Sequence, residues 1–349
     1  MKRGFGSDNH SATHPRILEA LMQVQSGHVP SYGTDQYSDI AIKLFREKFG
    51  NAAEVYFVFN GTAANVLSLK TLAKSYHSVI CSDVSHLNVD ECASPEVLAH
   101  CKLWTLPTTD GKLKLDTLKQ SIIRKGDQHF SQMKIVSLTQ PTEYGTVYSI
   151  SEMQEIVNWA HDEGLKVHID GARLANAAVQ LKVSFKQLIT DLKIDAVSFG
   201  GTKNGLMFGE AVILFDPSLK EDIKYYRKQL GQLPSKTRMI AAQFAAYLKD
   251  DLWKEIASHS LEMAQLLYEN ILNNPHVQIT QKPQSNVVFA IIPKDWLKKL
   301  RDEHFFYVWN EKTNECRWMT SWDTQKEDVL NFAKKLKELS DEISSRKLS

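Results

Sequence analysis

The sequence predicts an α/β protein, with a large domain on a mostly parallel sheet and a small C-terminal α+β domain. Three observations carry this. Between residues 55 and 215, short runs rich in Val, Ile and Phe alternate with stretches of helical period, the pattern of a parallel sheet covered on both faces. Polar or glycine-rich turns follow these runs, so their side chains collect on one edge of the sheet, where α/β proteins bind ligands. After about residue 250 the rhythm changes to a different mixture of helix and strand. We expect an N-terminal arm over residues 1–15, a large domain over 16–249 and a small domain over 250–349.

The elements follow in order. Residues 1–15 are polar and irregular. An amphipathic helix is expected from about 15 to 25, then a loop over 27–35 that holds Pro30, Tyr32 and Gly33. Strands are expected at 55–59, 78–81, 102–106, 135–138, 167–169, 196–199 and 211–215. Helices between them include 63–75, 151–163 and 171–180. One long helical stretch, 236–272, bridges to the small domain. There the expected elements are 287–292, 296–303, 307–309, 317–320 and 326–342.

Bulk properties exclude several classes. The chain has 349 residues, which suits one large and one smaller domain. Apolar content of 43% and charged content of 24% fit a packed core and not a disordered chain. A net charge of +1 argues for neither nucleic acid nor an anionic membrane as partner. No apolar run approaches the ~20 residues of a membrane span, and residues 1–10 lack the apolar centre of a signal peptide. Cys81, Cys92, Cys101 and Cys316 show no paired spacing, so we expect reduced core thiols and a cytoplasmic protein. His10 and His14 are four apart, but Pro15 opposes a helix through them, and no metal site is expected.

The chemistry-bearing residues lie at the ends of the expected strands. Asn60-Gly61-Thr62 follows the first strand and opens a helix. It reads either as an anion cup of backbone N–H groups or as an ordinary turn with Thr62 as helix cap. His86 follows the second strand. It reads as a ring able to stack and exchange protons, or as an exposed helix-start residue. Gln140-Pro141-Thr142-Glu143 follows the fourth. Asp170 ends the fifth, in Val167-His168-Ile169-Asp170-Gly171-Ala172-Arg173, as an acid for a cationic partner or as a helix cap. Arg173, one turn on, is a candidate carboxylate clamp or partner of a cofactor ring oxygen, or else a surface arginine. Lys203 follows the sixth strand in Gly200-Gly201-Thr202-Lys203, as an amine for imine chemistry or a turn lysine. Arg317 lies in an apolar strand of the tail, a setting that usually requires an anion. An acid facing a pyridine nitrogen, with a lysine beside it, is what pyridoxal phosphate chemistry requires.

Together these residues resemble the fold-type-I pyridoxal phosphate enzymes and, within them, the low-specificity L-threonine aldolases of the β-eliminating lyase group. The resemblance runs from Ser7-Asp8-Asn9 through Tyr32-Gly33, Asn60-Gly61-Thr62, Ser85-His86, the His168–Arg173 segment and Thr202-Lys203 to Arg317. It implies that Lys203 holds the cofactor as an imine, Asp170 meets its ring nitrogen, His86 stacks on the ring, and Gly61 and Thr62 hold the phosphate. It implies that Ser7, Arg173 and Arg317 bind the substrate carboxylate. Tyr32 and Lys228 resemble residues lent to a neighbouring subunit, in a homodimer or homotetramer. Many members carry a histidine where this chain has Gln140, while a second branch has Gln-Pro-Thr-Glu. Glutamine can orient a substrate hydroxyl but cannot take its proton at neutral pH. The implied reaction is aldol cleavage of L-threonine or L-allo-threonine to glycine and acetaldehyde. The alternatives are β-elimination, cleavage of a bulkier 3-hydroxy amino acid, or a non-enzymatic binding or structural protein on the same fold.

Overall fold

The computed structural model describes residues 3–346. The chain forms two compact units, Thr13–Trp253, and Met1–Ala12 together with Lys254–Ser349. The larger unit holds a seven-stranded sheet: β1 (Glu54–Val58), β2 (His77–Ser82), β3 (Lys102–Leu106), β4 (Gln132–Thr139), β5 (Lys166–Gly171), β6 (Ala196–Phe199) and β7 (Glu210–Leu214). Its order is β1-β7-β6-β5-β4-β2-β3. The last five are mutually parallel, and β7 alone runs against its neighbours β6 and β1. All seven expected strands are present. Strands β6 and β7, apolar but for Ser198 and Glu210, are buried along their whole length, as strands covered on both faces must be. With this topology β1, β2, β4, β5 and β6 all deliver their C-terminal ends to one sheet edge, and β7 begins there.

Helix Gly61–Leu72 follows β1 and is buried almost all round, packing against β5, β6 and β7. Helix Gln36–Phe49, which the sequence reading leaves unassigned, is started by Asp35. Its Oδ1 accepts from the Tyr37 and Ser38 N–H groups at 3.0 Å each. Two expected helices are corrected. The one after β5 begins at Leu174 and not at 171, because Asp170 and Gly171 remain in the ladder beside Ser198 and Phe199. The long stretch 236–272 is two helices, Arg238–Leu248 and Leu252–Ile271. Asp250 and Asp251 break it, with φ of 53° and 54°, a left-handed conformation that aspartate tolerates better than most side chains.

The smaller unit carries a four-stranded antiparallel sheet of β8 (Gln278–Gln281), β9 (Val287–Ile291), β10 (Tyr307–Asn310) and β11 (Glu315–Met319), ordered β10-β11-β9-β8. Edge strand β8 is not expected from the sequence, since Gln-Ile-Thr-Gln offers one apolar side chain. The N-terminal residues fold into this unit. Phe5, 1% exposed, packs on Phe332, while its N–H donates to Phe305 O at 2.7 Å and its carbonyl accepts from Met319 N at 2.8 Å. Cys81, Cys101 and Cys316 are buried as expected, whereas Cys92 is exposed. Among the described residues no helix is long and apolar enough to cross a membrane.

An aromatic core lies under the functional edge. Phe49 and Phe185 stack at 5.0 Å, and Phe199 stands edge-on to both at 5.3 and 5.1 Å. Phe199 is the last residue of β6, directly before the Gly200-Gly201-Thr202-Lys203 turn. Phe199→Ala should remove about 3–5 kcal/mol of packing. Thermal unfolding should show a clearly lowered Tm. An unchanged Tm would mean that the ring cluster does not anchor this strand end.

Candidate active site

Asp170, 4% exposed, sits at the end of β5 with both carboxylate oxygens engaged. Oδ2 accepts from Asn65 Nδ2 at 2.9 Å and Oδ1 from Ala172 N at 3.1 Å. It does not cap the following helix, whose N-cap position is Arg173. On the same face of β5, two residues back, His168 is fully buried, with its ring nitrogens 2.9 Å from Ser137 Oγ and Ser198 Oγ. Burial pushes its pKa down to about 4, against the pull of Asp170, so it is a neutral donor and acceptor at ordinary pH.

The turn after β6 uses glycine because of crowding rather than flexibility. A Cβ on Gly200 would stand 2.1 Å from Ala172 O, and one on Gly201 2.5 Å from Leu206 Cδ2 and 2.6 Å from Gly209 O. Glu210, the first residue of β7, binds this turn by accepting from Gly201 N at 2.6 Å. Burial raises its pKa to about 7, with hydrogen bonds from Gly201 and Thr202 and the Lys203 charge opposing. Lys203 is half-buried in the short Thr202–Asn204 turn.

At the end of β1 the helix cap is Asn60, not Thr62: its Oδ1 accepts from Ala63 N at 2.9 Å. Gly61 and Thr62 are the first helical residues, so their N–H groups have no acceptor within the helix. A Cβ on Gly61 would meet nothing within 4 Å. Neither crowding nor a left-handed φ requires glycine there. The space around it is open.

After β2, the His86 N–H donates to Glu143 Oε1 at 2.8 Å, and its Nδ1 lies 2.9 Å from Glu91 Oε1. The Asn65 amide also donates to Glu91 Oε1, at 2.7 Å, so one side chain bridges Glu91 and Asp170. The hydrogen bond to Glu91 raises the His86 pKa, with Asp170 helping and burial and Lys203 opposing. Burial raises Glu91, against hydrogen bonds from His86 and Asn65. Burial lifts Glu143 to about 7, although it accepts from the His86 N–H and from Thr139 Oγ1, the latter at 2.9 Å. His86, Asp170 and Lys203 thus share one electrostatic neighbourhood. Sequence reasoning missed Asn65 and Glu91. An asparagine inside the apolar run from Ala64 to Leu69 was a usable signal, but the polar Asp90-Glu91-Cys92 carried none.

The other expected site residues have the following local settings. Gln140 is fully buried, and its Nε2 donates to Tyr148 O at 2.9 Å while its Oε1 accepts from Tyr148 N at 3.0 Å, so the side chain is bound to the Tyr148 backbone. Exposed Tyr32, with a left-handed φ of 63°, and exposed Lys228 lie together, the Lys228 Nζ 5.4 Å from the ring centroid. Arg173 is half-buried. In the smaller unit, Ser7 Oγ accepts from Asn9 N at 3.1 Å. There too, Arg317 on β11 stacks over the Trp309 ring at 5.0 Å and donates to Gly6 O at 3.5 Å. Gln140→Ala should leave two buried backbone groups of Tyr148 unpaired, at about 1–3 kcal/mol each. The Tm should fall while the ratio of kcat/KM between any two substrates stays unchanged. A changed ratio with an unchanged Tm would assign Gln140 to the substrate.

The β-eliminating lyase family profile matches residues 4–294. A low-specificity L-threonine aldolase of Pseudomonas aeruginosa is 38% identical over 334 residues, covering 95% of this chain and 96% of that protein. Another, from a Pseudomonas species, is 38% identical over 330 residues, covering 94% and 95%. The solved structure of Leishmania major threonine aldolase superposes with a TM-score of 0.92 at 28% identity, over 97% of this chain and 99% of that one. A matching family profile over most of the chain, with relatives similar from end to end, makes this protein a member of the β-eliminating lyase family.

Proposed function

We propose that the protein is a pyridoxal phosphate enzyme that splits the Cα–Cβ bond of L-threonine or L-allo-threonine, yielding glycine and acetaldehyde. The observation that carries this reading is the Asp170 carboxylate, fixed by Asn65 and Ala172 in one electrostatic neighbourhood with Lys203 and His86. The similarity to proteins named low-specificity L-threonine aldolase selects the substrate class. The open space at Gly61 and the N–H groups of Gly61 and Thr62, which have no acceptor within their helix, support a phosphate there.

When bound, the cofactor supplies an electron sink for the pair left by the broken bond. Lys203 would provide the amine that holds it. Asp170 takes the ring N–H, and Gly61 and Thr62 take the phosphate. His86 covers the ring and takes the β-hydroxyl proton, directly or through one water. Arg173 holds the substrate carboxylate with its planar fork, which sets the angle of the bond to be broken. Ser7 and Arg317 stay as carboxylate ligands on the resemblance alone. Tyr32 and Lys228 are assigned to the site of a neighbouring copy in a homodimer or homotetramer, in the cytoplasm.

The direct test incubates the cofactor-loaded protein with each threonine diastereomer. Glycine and acetaldehyde should form in equal amounts. Formation of 2-oxobutanoate and ammonia would replace the assignment with β-elimination. Borohydride should fix the cofactor to Lys203, and Lys203→Ala should abolish turnover; a labelled peptide lacking Lys203 would overturn the role of this lysine. Asp170→Asn should lower kcat by about 10²-fold or more, because it removes the anion that would keep the ring nitrogen protonated and so keep the ring able to take up electrons. A kcat near that of the wild type would leave Asp170 a purely structural role.

A further inference from the structure

Asn65 is a buried amide on an otherwise apolar helix turn, and both of its donors are used. One goes to Asp170 Oδ2 at 2.9 Å and one to Glu91 Oε1 at 2.7 Å. Its Oδ1 has no hydrogen-bond partner among the described residues. The amide orientation is therefore fixed by its neighbours, since a flip would aim oxygen at two carboxylates. The Glu91 side chain is itself fully buried, and the same Oε1 lies 2.9 Å from His86 Nδ1. A carboxylate oxygen receiving two N–H groups keeps a proton on Nδ1 and leaves Nε2 as the atom that exchanges one.

We infer that Glu91 is a positioning residue for His86: through Asn65 it ties the imidazole to the Asp170 carboxylate and fixes which ring nitrogen carries the exchangeable proton. The inference deepens the aldolase reading and rests on it for the task of His86. Among the described residues, four charged or titratable groups act on His86. Glu91 contacts Nδ1, Glu143 accepts its backbone N–H, and Asp170 and Lys203 act from the ends of β5 and β6 with opposite sign. Because Glu91 holds the charged form, the imidazole keeps its proton to higher pH than it otherwise would. Removing that carboxylate must move the titration to lower pH.

The test is nitrogen-15 NMR of histidine-labelled, cofactor-free protein, with His86 assigned by comparison with His86→Asn. In the wild type the neutral ring should be the Nδ1–H tautomer. In Glu91→Gln the titration midpoint should fall by about one pH unit. Glu91→Asp keeps the charge but shortens the reach, so its midpoint should lie between the two, and it serves as the test if Glu91→Gln does not fold. In the loaded enzyme the acidic limb of the kcat profile should shift to lower pH in the same order. A midpoint equal to the wild type in the folded variant, or an Nε2–H tautomer in the wild type, overturns the inference. Titration of the cofactor-free protein decides this even if no threonine is cleaved, so its failure is distinct from failure of the proposed function.

Discussion

A carboxylate buried to 4% exposure needs donors for both oxygens, and Asp170 finds them in the amide of Asn65 and the N–H of Ala172. The rest of the site depends on that arrangement. The Ala172 N–H belongs to the tight turn that leads to Arg173, and Ala172 O is the atom that Gly200 must clear on the way to Lys203. Asn65 reaches on to Glu91 and so to His86. One acid thereby connects four chain segments that are far apart in sequence.

The sheet explains why those segments meet. Strands β2, β4, β5 and β6 are parallel, so each turn after them falls on one edge. The antiparallel β7 returns to that edge and places Glu210 under the Lys203 turn. Burial of Glu210, Glu143 and Glu91 raises the pKa of each above its ordinary value, to about 7 for the first two. A carboxyl with a raised pKa weakens the fold as pH rises from its unfolded pKa toward its folded one, since the fold retains the proton. This polar layer is therefore a cost to stability at neutral pH, offset by the apolar and aromatic packing beneath it.

Much of this was legible in the sequence, for identifiable reasons. Strands such as Ala196–Phe199 and Glu210–Leu214 are apolar almost throughout, and covered sheets leave no other place for such runs. Asp170 and Lys203 stood out because polar groups at strand ends share an edge. What failed to show depends on contacts that spacing does not encode. Asn65 and Glu91 are 26 residues apart, Asn65 and Asp170 105 apart. Gln140 follows a strand just as His86 does, yet its side chain turns back to the Tyr148 backbone. Edge strand Gln278–Gln281 is half-exposed and polar, and the break at Asp250-Asp251 lies inside an otherwise helical pattern.

The central claim is that the held Asp170 carboxylate exists to keep a pyridine ring nitrogen protonated. Nitrogen-15 NMR of the wild-type protein loaded with ring-labelled pyridoxal phosphate tests it most directly. The account predicts a protonated ring nitrogen through neutral pH, lost in Asp170→Asn. An unprotonated ring nitrogen in the wild type, or one still protonated in Asp170→Asn, would contradict it.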